Sequence, residues 1–129
     1  MYKSTPHEET LATAVVNGAF AVHKFLGPGL LESVYERCLC FELAKREVPH
    51  VRQVRLPLVY EGVEIAHGLR VDLLVDGLLI CELKAVEVMV PLYLAQILTQ
   101  LRLADLHLGF LINFNVERIK DGIRRVIRS

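Results

Sequence analysis

Charged side chains set inside an apolar run are where this chain could do chemistry, and they concentrate in GLRVDLLVDGLLICELKAVE, residues 68–87. Strict alternation reads the stretch as a β-hairpin with Leu69, Val71, Leu73, Leu79, Cys81 and Leu83 on one wholly apolar face. The other face carries Arg70, Asp72, Leu74, Leu78, Ile80, Glu82 and Lys84. Two carboxylates and an amine therefore project from strands otherwise composed as core, where ionised groups need a partner or a metal.

The turn decides whether those groups can meet. A two-residue Asp76-Gly77 loop puts Asp72 opposite Cys81 and sends Asp72 and Glu82 to opposite sides of the sheet. A three-residue loop, Val75-Asp76-Gly77, offers Gly77 for the left-handed position of a bulged turn and pairs Leu74 with Leu78. Asp72 then faces Ile80 and Arg70 faces Glu82, leaving Asp72 and Glu82 as diagonal neighbours on one face, about 7 Å apart at the backbone. Both carboxylates could reach one divalent ion, so the three-residue loop is the expectation.

An aspartate followed after nine residues by Glu82-Leu83-Lys84 resembles the metal site of the PD-(D/E)xK nuclease superfamily. The proline of that motif is absent, Val71 standing before Asp72. Upstream, LGPGLLESVYE (26–36) is similar to the signature of the GxxExxY family, a small branch of the same superfamily, through Gly29, Glu32 and Tyr35. The similarity runs from about Thr10 to Ile127 and includes AQILTQLRL and LGFLINF. It implies a restriction-endonuclease-like αβββαβ core and a Mg2+ or Mn2+ ion held by Glu32, Asp72 and Glu82, with Glu36 as the alternative helix acid. Lys84 would act on the attacking water or the phosphate. Gln96 matches the glutamine that RecB-like members carry on the helix after ExK, whereas Gln100 stands where they carry tyrosine. Tyr35, Arg70 and Gln100 would contact substrate. Hydrolysis of nucleic acid, DNA in preference to RNA, is the implied activity. The alternatives are a binding module that keeps the scaffold without catalysis, or Lys84 serving only as an ion-pair partner.

The remaining elements must position these groups. Residues 8–26 read as a helix with Leu11, Val15, Val22 and Phe25 or Leu26 inward and His23 on the surface, ended by Gly27-Pro28. A second helix spans about Leu30 to Glu47, its inner side traced by Leu31, Val34, Tyr35, Cys38 and Phe41 or Glu42. Glu32 falls in its first turn, where a carboxylate also favours the helix dipole. Residues 51–60 alternate as a strand, with Pro57 marking an edge or irregular point. Glu61-Gly62 turns into a second strand that runs past Gly68, a bulge candidate, into the Asp72 segment. From Pro91 to Asp105 a helix presents Leu94, Ile97, Leu98 and Leu101, and HLGFLINF (107–114) suits a strand buried on both faces, with Asn113 hydrogen-bonding at its end. The tail leaves two readings open: Ile119, Ile123, Val126 and Ile127 suit a helix, while Asp121-Gly122 suits a turn before a short strand. The expected fold is α/β (α+β), one domain over 1–129, with a central mixed four-stranded sheet flanked by helices.

Composition narrows the setting. Apolar residues make up 53% of the chain, yet no run reaches the roughly 18 residues of a membrane span. The polar start MYKSTPHEET is unlike an export signal, and three cysteines without CxxC spacing read as buried hydrophobes of a reducing cytoplasm. Fifteen basic and fifteen acidic residues cancel, which weighs against a dedicated nucleic-acid binder. Residues 117–129, with five basic and two acidic groups, are locally positive.

Overall fold

A computed structural model describes residues 1–129. The chain forms helix α1 (Pro6–Leu26), helix α2 (Glu32–Lys45), strands β1 (His50–Tyr60), β2 (Val63–Val75) and β3 (Leu79–Lys84), helix α3 (Pro91–Leu103), strand β4 (Leu108–Asn113), a 3-10 turn at Ile119–Asp121 and strand β5 (Ile123–Ile127). The five strands lie side by side in chain order, all antiparallel except β3 against β4. The sheet thus has one strand more than the four expected. Of the two readings of the tail, the turn before a short strand is the one adopted, with β5 pairing along β4 from Ile112–Ile123 to Leu108–Ile127.

Each helix begins and ends where local chemistry allows. Thr5 caps α1 in a reciprocal box with Glu8, and Gly27, at φ 69°, closes it with its N–H on His23 O. Gly18 lies where α1 meets α2, since a Cβ there would sit 3.0 Å from Leu39 Cδ1. Proline opens α3 at its first turn, where its missing N–H costs no intrahelical bond. The inner side of α2 is Tyr35, Leu39 and Leu43; of the expected stripe Tyr35 is buried and Cys38 half-buried, whereas Leu31, Val34 and Phe41 are exposed, as is Phe25 of α1. His23 is also not a surface residue. It is buried, with Nε2 2.7 Å from Val116 O.

Helices α1 and α2 cover one face of the sheet through Leu73, Val75, Leu79, Cys81, Leu83, Phe110 and Ile112. Helix α3 covers the other through Leu69, Val71, Ile80, Ile97, Leu101 and Val126. The single apolar face expected for the hairpin is therefore divided. Leu69 and Val71 face α3, whereas Leu73 and Val75 face α1 and α2, so the alternation of β2 reverses at Asp72. The opposing residue in the β1–β2 ladder, between the Arg52–Leu73 and Val54–Val71 pairs, is Gln53, whose φ of 52° is left-handed. The reversal of β2 and the left-handed residue of β1 thus share one rung. Farther out, the ladder slips between Leu56 and Leu58, beside Pro57 and Gly68, and a Cβ on Gly68 would lie 2.8 Å from Leu58 Cβ.

Asn113 ties the end of the sheet to the start of α3. Its Oδ1 accepts from the N–H groups of Val86 and Asn115, both at 3.1 Å, and its Nδ2 donates to Val86 O at 2.9 Å. Almost wholly buried, it satisfies the loop that leads from Lys84 to α3. Replacing it with alanine leaves three main-chain groups without partners, and unsatisfied groups cost about 1–3 kcal/mol each. Asn113→Ala is expected to lower unfolding stability by roughly 2–4 kcal/mol, measured as a shift in urea midpoint.

Candidate active site

Strands β2 and β3 pair Val75–Leu79, Leu74–Ile80 and Leu73–Cys81, and the ladder stops there. The loop has the expected three residues but is shifted by one, to Asp76-Gly77-Leu78, with Asp76 and Gly77 at φ 48° and 66°. In this register Asp72 falls directly across from Glu82, where a diagonal placement was expected. At that rung side chains replace the ladder. The Asp72 N–H donates to Glu82 Oε1 at 3.0 Å, and the Leu83 N–H donates to Asp72 Oδ2 at 3.0 Å. The strands part around two interleaved carboxylates, both buried.

The pair is electrostatically uneven. Asp72 Oδ1 faces Arg70 Nη1 at 3.2 Å, while Glu82 forms no salt bridge. Burial first, and then the charge of Asp72, push the Glu82 carboxyl up to about 7, against the opposing pull of the Asp72 N–H and of Lys84. Lys84 is held from above, its Nζ 4.4 Å from the centroid of the Tyr93 ring, a cation–π contact that fixes the ammonium.

Two cavities flank the parted strands. The one against α3, about 400 Å3, is lined by Arg70, Glu82, Lys84, Gln96 and Gln100 among others. The one against α2, about 190 Å3, is lined by Glu32, Glu36, Gln53, Arg70 and Asp72. Arg70 borders both. Gln96 is exposed and gives onto the α3 cavity with Glu82 and Lys84. Gln100 donates to Arg70 O at 3.5 Å, and its Oε1 is buried with no partner. On α2 the two acids differ. Glu32 is exposed at the cavity, whereas Glu36 is buried, 3.1 Å from Arg52 Nη1 and 2.6 Å from Gln53 Nε2.

Tyr35 is not brought to either cavity. Its ring is fully buried and stacked on Phe114 at 4.6 Å, and its hydroxyl donates to Gly27 O and accepts from the Leu30 N–H. It closes the connection between α1 and α2, which leaves no face for a substrate. Gln53 and Tyr93 are the contacts sequence reading did not single out. Nothing in an alternating strand distinguishes Gln53, and Tyr93 shows only as a member of the stripe beside the core of α3.

Nowhere do three or more His, Cys, Asp or Glu side chains converge as a ready-made metal cage. Two carboxylates with room beside them nevertheless suit a hard cation that retains waters and completes its shell with substrate oxygens, as Mg2+ does. Asp72 and Glu82 are the residues able to hold one. A model of the PD-(D/E)XK nuclease superfamily matches residues 9–126, nearly the whole chain. The chain belongs to that superfamily. Comparison with curated proteins and with solved structures found no match. Its α/β/α layering is that of the superfamily's restriction-endonuclease-like fold, with β5 extending the sheet. No helix is long and apolar enough to cross a membrane.

The raised Glu82 carboxyl has a consequence for stability. Between the ordinary carboxylate value of 4.5 and about 7, the folded protein binds a proton that the unfolded chain has released, so stability falls as pH rises through this window. The contribution is full below about 4.5 and lost above about 7. In the presence of a chelator, the wild type is expected to lose on the order of 3 kcal/mol across it. Glu82→Gln, whose amide oxygen can still accept from Asp72 and whose NH2 can donate to it, removes this slope; urea unfolding at pH 5 and pH 8 measures both proteins.

Proposed function

We propose that this superfamily domain hydrolyses phosphodiester bonds of nucleic acid, DNA in preference to RNA, using Mg2+ or Mn2+ held by Asp72 and Glu82. The observation that carries the reading is the interleaved Asp72–Glu82 pair at the point where β2 and β3 part, with Lys84 on the same strand. Structural ion pairs have no need to interrupt a sheet, and two buried carboxylates together repel unless a cation joins them. Gly29, Glu32 and Tyr35 support placement in the GxxExxY branch. A cytoplasmic location suits three free cysteines.

A bound divalent ion would supply charge relief at the phosphoryl oxygens and a more acidic water. The chain's own residues do the rest. Lys84, steadied by Tyr93, directs its ammonium to the α3 cavity, where it can bind a phosphate oxygen or orient water. Gln96 and Gln100 offer amide donors along the same wall, and Arg70 adds a fixed cation at the boundary with the α2 cavity. These groups make the α3 side the seat of an anionic backbone. Glu32, at the α2 cavity, is placed to complete the ion's shell through water, while Glu36 is occupied by Arg52 and Gln53.

Asp72→Asn keeps size and removes the charge needed for the cation; Lys84→Ala leaves the carboxylates intact. Both are expected to reduce cleavage of single- or double-stranded DNA with Mg2+ or Mn2+ by about a hundredfold or more. Only Asp72→Asn should weaken calorimetric Mn2+ binding. A wild type that neither binds a divalent ion nor cuts DNA or RNA at low salt would leave a binding module as the better account. If Lys84 served only to balance buried charge, Lys84→Ala would cost stability of about 3–5 kcal/mol, seen as a large fall in melting temperature.

A further inference from the structure

Gln53 is an outlier in two respects. It sits inside a strand between paired neighbours, yet its backbone is left-handed at φ 52°, a conformation that disfavours side chains other than Gly, Asn and Asp and costs roughly 1–2 kcal/mol. Its side chain also gathers groups from three places. Nε2 lies 2.6 Å from Glu36 Oε1 on α2 and 3.5 Å from Asp72 Oδ1 on β2, while Oε1 accepts from Arg70 Nη1. Arg70 in turn reaches Asp72 Oδ1 at 3.2 Å. A neutral amide is the group that can do this, presenting donors to carboxylates at one end and an acceptor to a guanidinium at the other.

At this rung the alternation of β2 reverses, and Asp72 lies in the gap beside Glu82. With Oδ2 fixed by the Leu83 N–H, the remaining freedom of the Asp72 carboxylate is the placement of Oδ1, and Gln53 and Arg70 both hold that atom. We propose that Gln53 is a positioning residue for the cation site, joining Glu36 of α2 to Asp72 through its amide so that the Asp72 carboxylate is set before a divalent ion arrives. The strained backbone persists because it directs the side chain to both acids. This inference rests on the divalent-ion reading given above.

The test uses the whole chain, Mn2+ calorimetry and urea unfolding. Gln53→Gly suits the left-handed backbone and removes the amide, so the metal-free protein is expected to keep or gain stability while Mn2+ affinity falls about tenfold, as loss of an outer-sphere partner does. Gln53→Asn also tolerates the backbone but is one methylene too short to span Glu36 and Asp72, and it should show the same weakened affinity in a stable fold. Two results would overturn the proposal in distinguishable ways. Wild-type Mn2+ affinity in both folded variants, whatever their stability, makes Gln53 a structural residue only and leaves the cation reading standing. Absence of Mn2+ binding by the wild type removes the cation reading and the positioning role with it.

Discussion

The interleaving of Asp72 and Glu82 between β2 and β3 is the contact on which the rest of the site depends. A regular sheet would continue the ladder beyond Leu73–Cys81 with main-chain bonds, and no cleft would exist. Here each carboxylate accepts a main-chain N–H from the strand that carries the other. The main-chain donors remain satisfied, which is what lets the sheet open in its buried interior. The same exchange holds two carboxyl groups close together, an arrangement that favours a proton or a cation beside them. Burial and mutual repulsion fall on Glu82, because Asp72 has Arg70 and Glu82 has no comparable partner.

Much of this arrangement could be read in the sequence because a hairpin transmits parity. Whether the three-residue loop begins at Val75 or Asp76, Asp72 and Glu82 stay beside one another; the shift of one position moved Asp72 from a diagonal to a direct placement, with Asp72 lining the α2 cavity and Glu82 the α3 cavity. The glycine of Asp76-Gly77 carried that information. What parity could not show was the reversal of β2 at Asp72. Both faces of the sheet are covered by apolar layers, so Leu69, Val71, Leu73 and Val75 suit either side, and a change of face leaves no mark in the pattern. Gln53, the residue that marks the rung in the structure, looks like any outward polar residue of an alternating strand.

The helices were legible in extent and less so in orientation. Glycine, proline and capping residues delimit α1 and α3 because they act locally. The inner stripe of α2 was read correctly at Tyr35 but not at Leu31, Val34 or Phe41, because this helix is apolar on more than one side; periodicity cannot choose between two apolar stripes. Tyr35 belongs to the true inner stripe, and its role follows from that burial. The fifth strand depended on Asp121-Gly122, where Gly122 leaves room for the close approach of Asn113 O, 2.1 Å from where a Cβ would stand.

Net neutrality does not oppose binding of an anionic polymer once the charges are placed. The acids Glu32, Glu36 and Asp72 line the α2 side of the parted strands, and Glu82 lies with Lys84, Gln96 and Gln100 on the α3 side, with Arg70 between them. Opposite signs a few ångströms apart cancel in the sum and at distances beyond roughly 10 Å in salt, yet remain separate at contact. A phosphodiester at the α3 wall would meet donors, and a divalent ion in the gap would meet acceptors. The proposed hydrolysis would need both polarities in one place, because the ion and the phosphate would have to touch. A strongly basic protein could attract the polymer from farther away, but without the acidic half it would have no means of holding the ion against it.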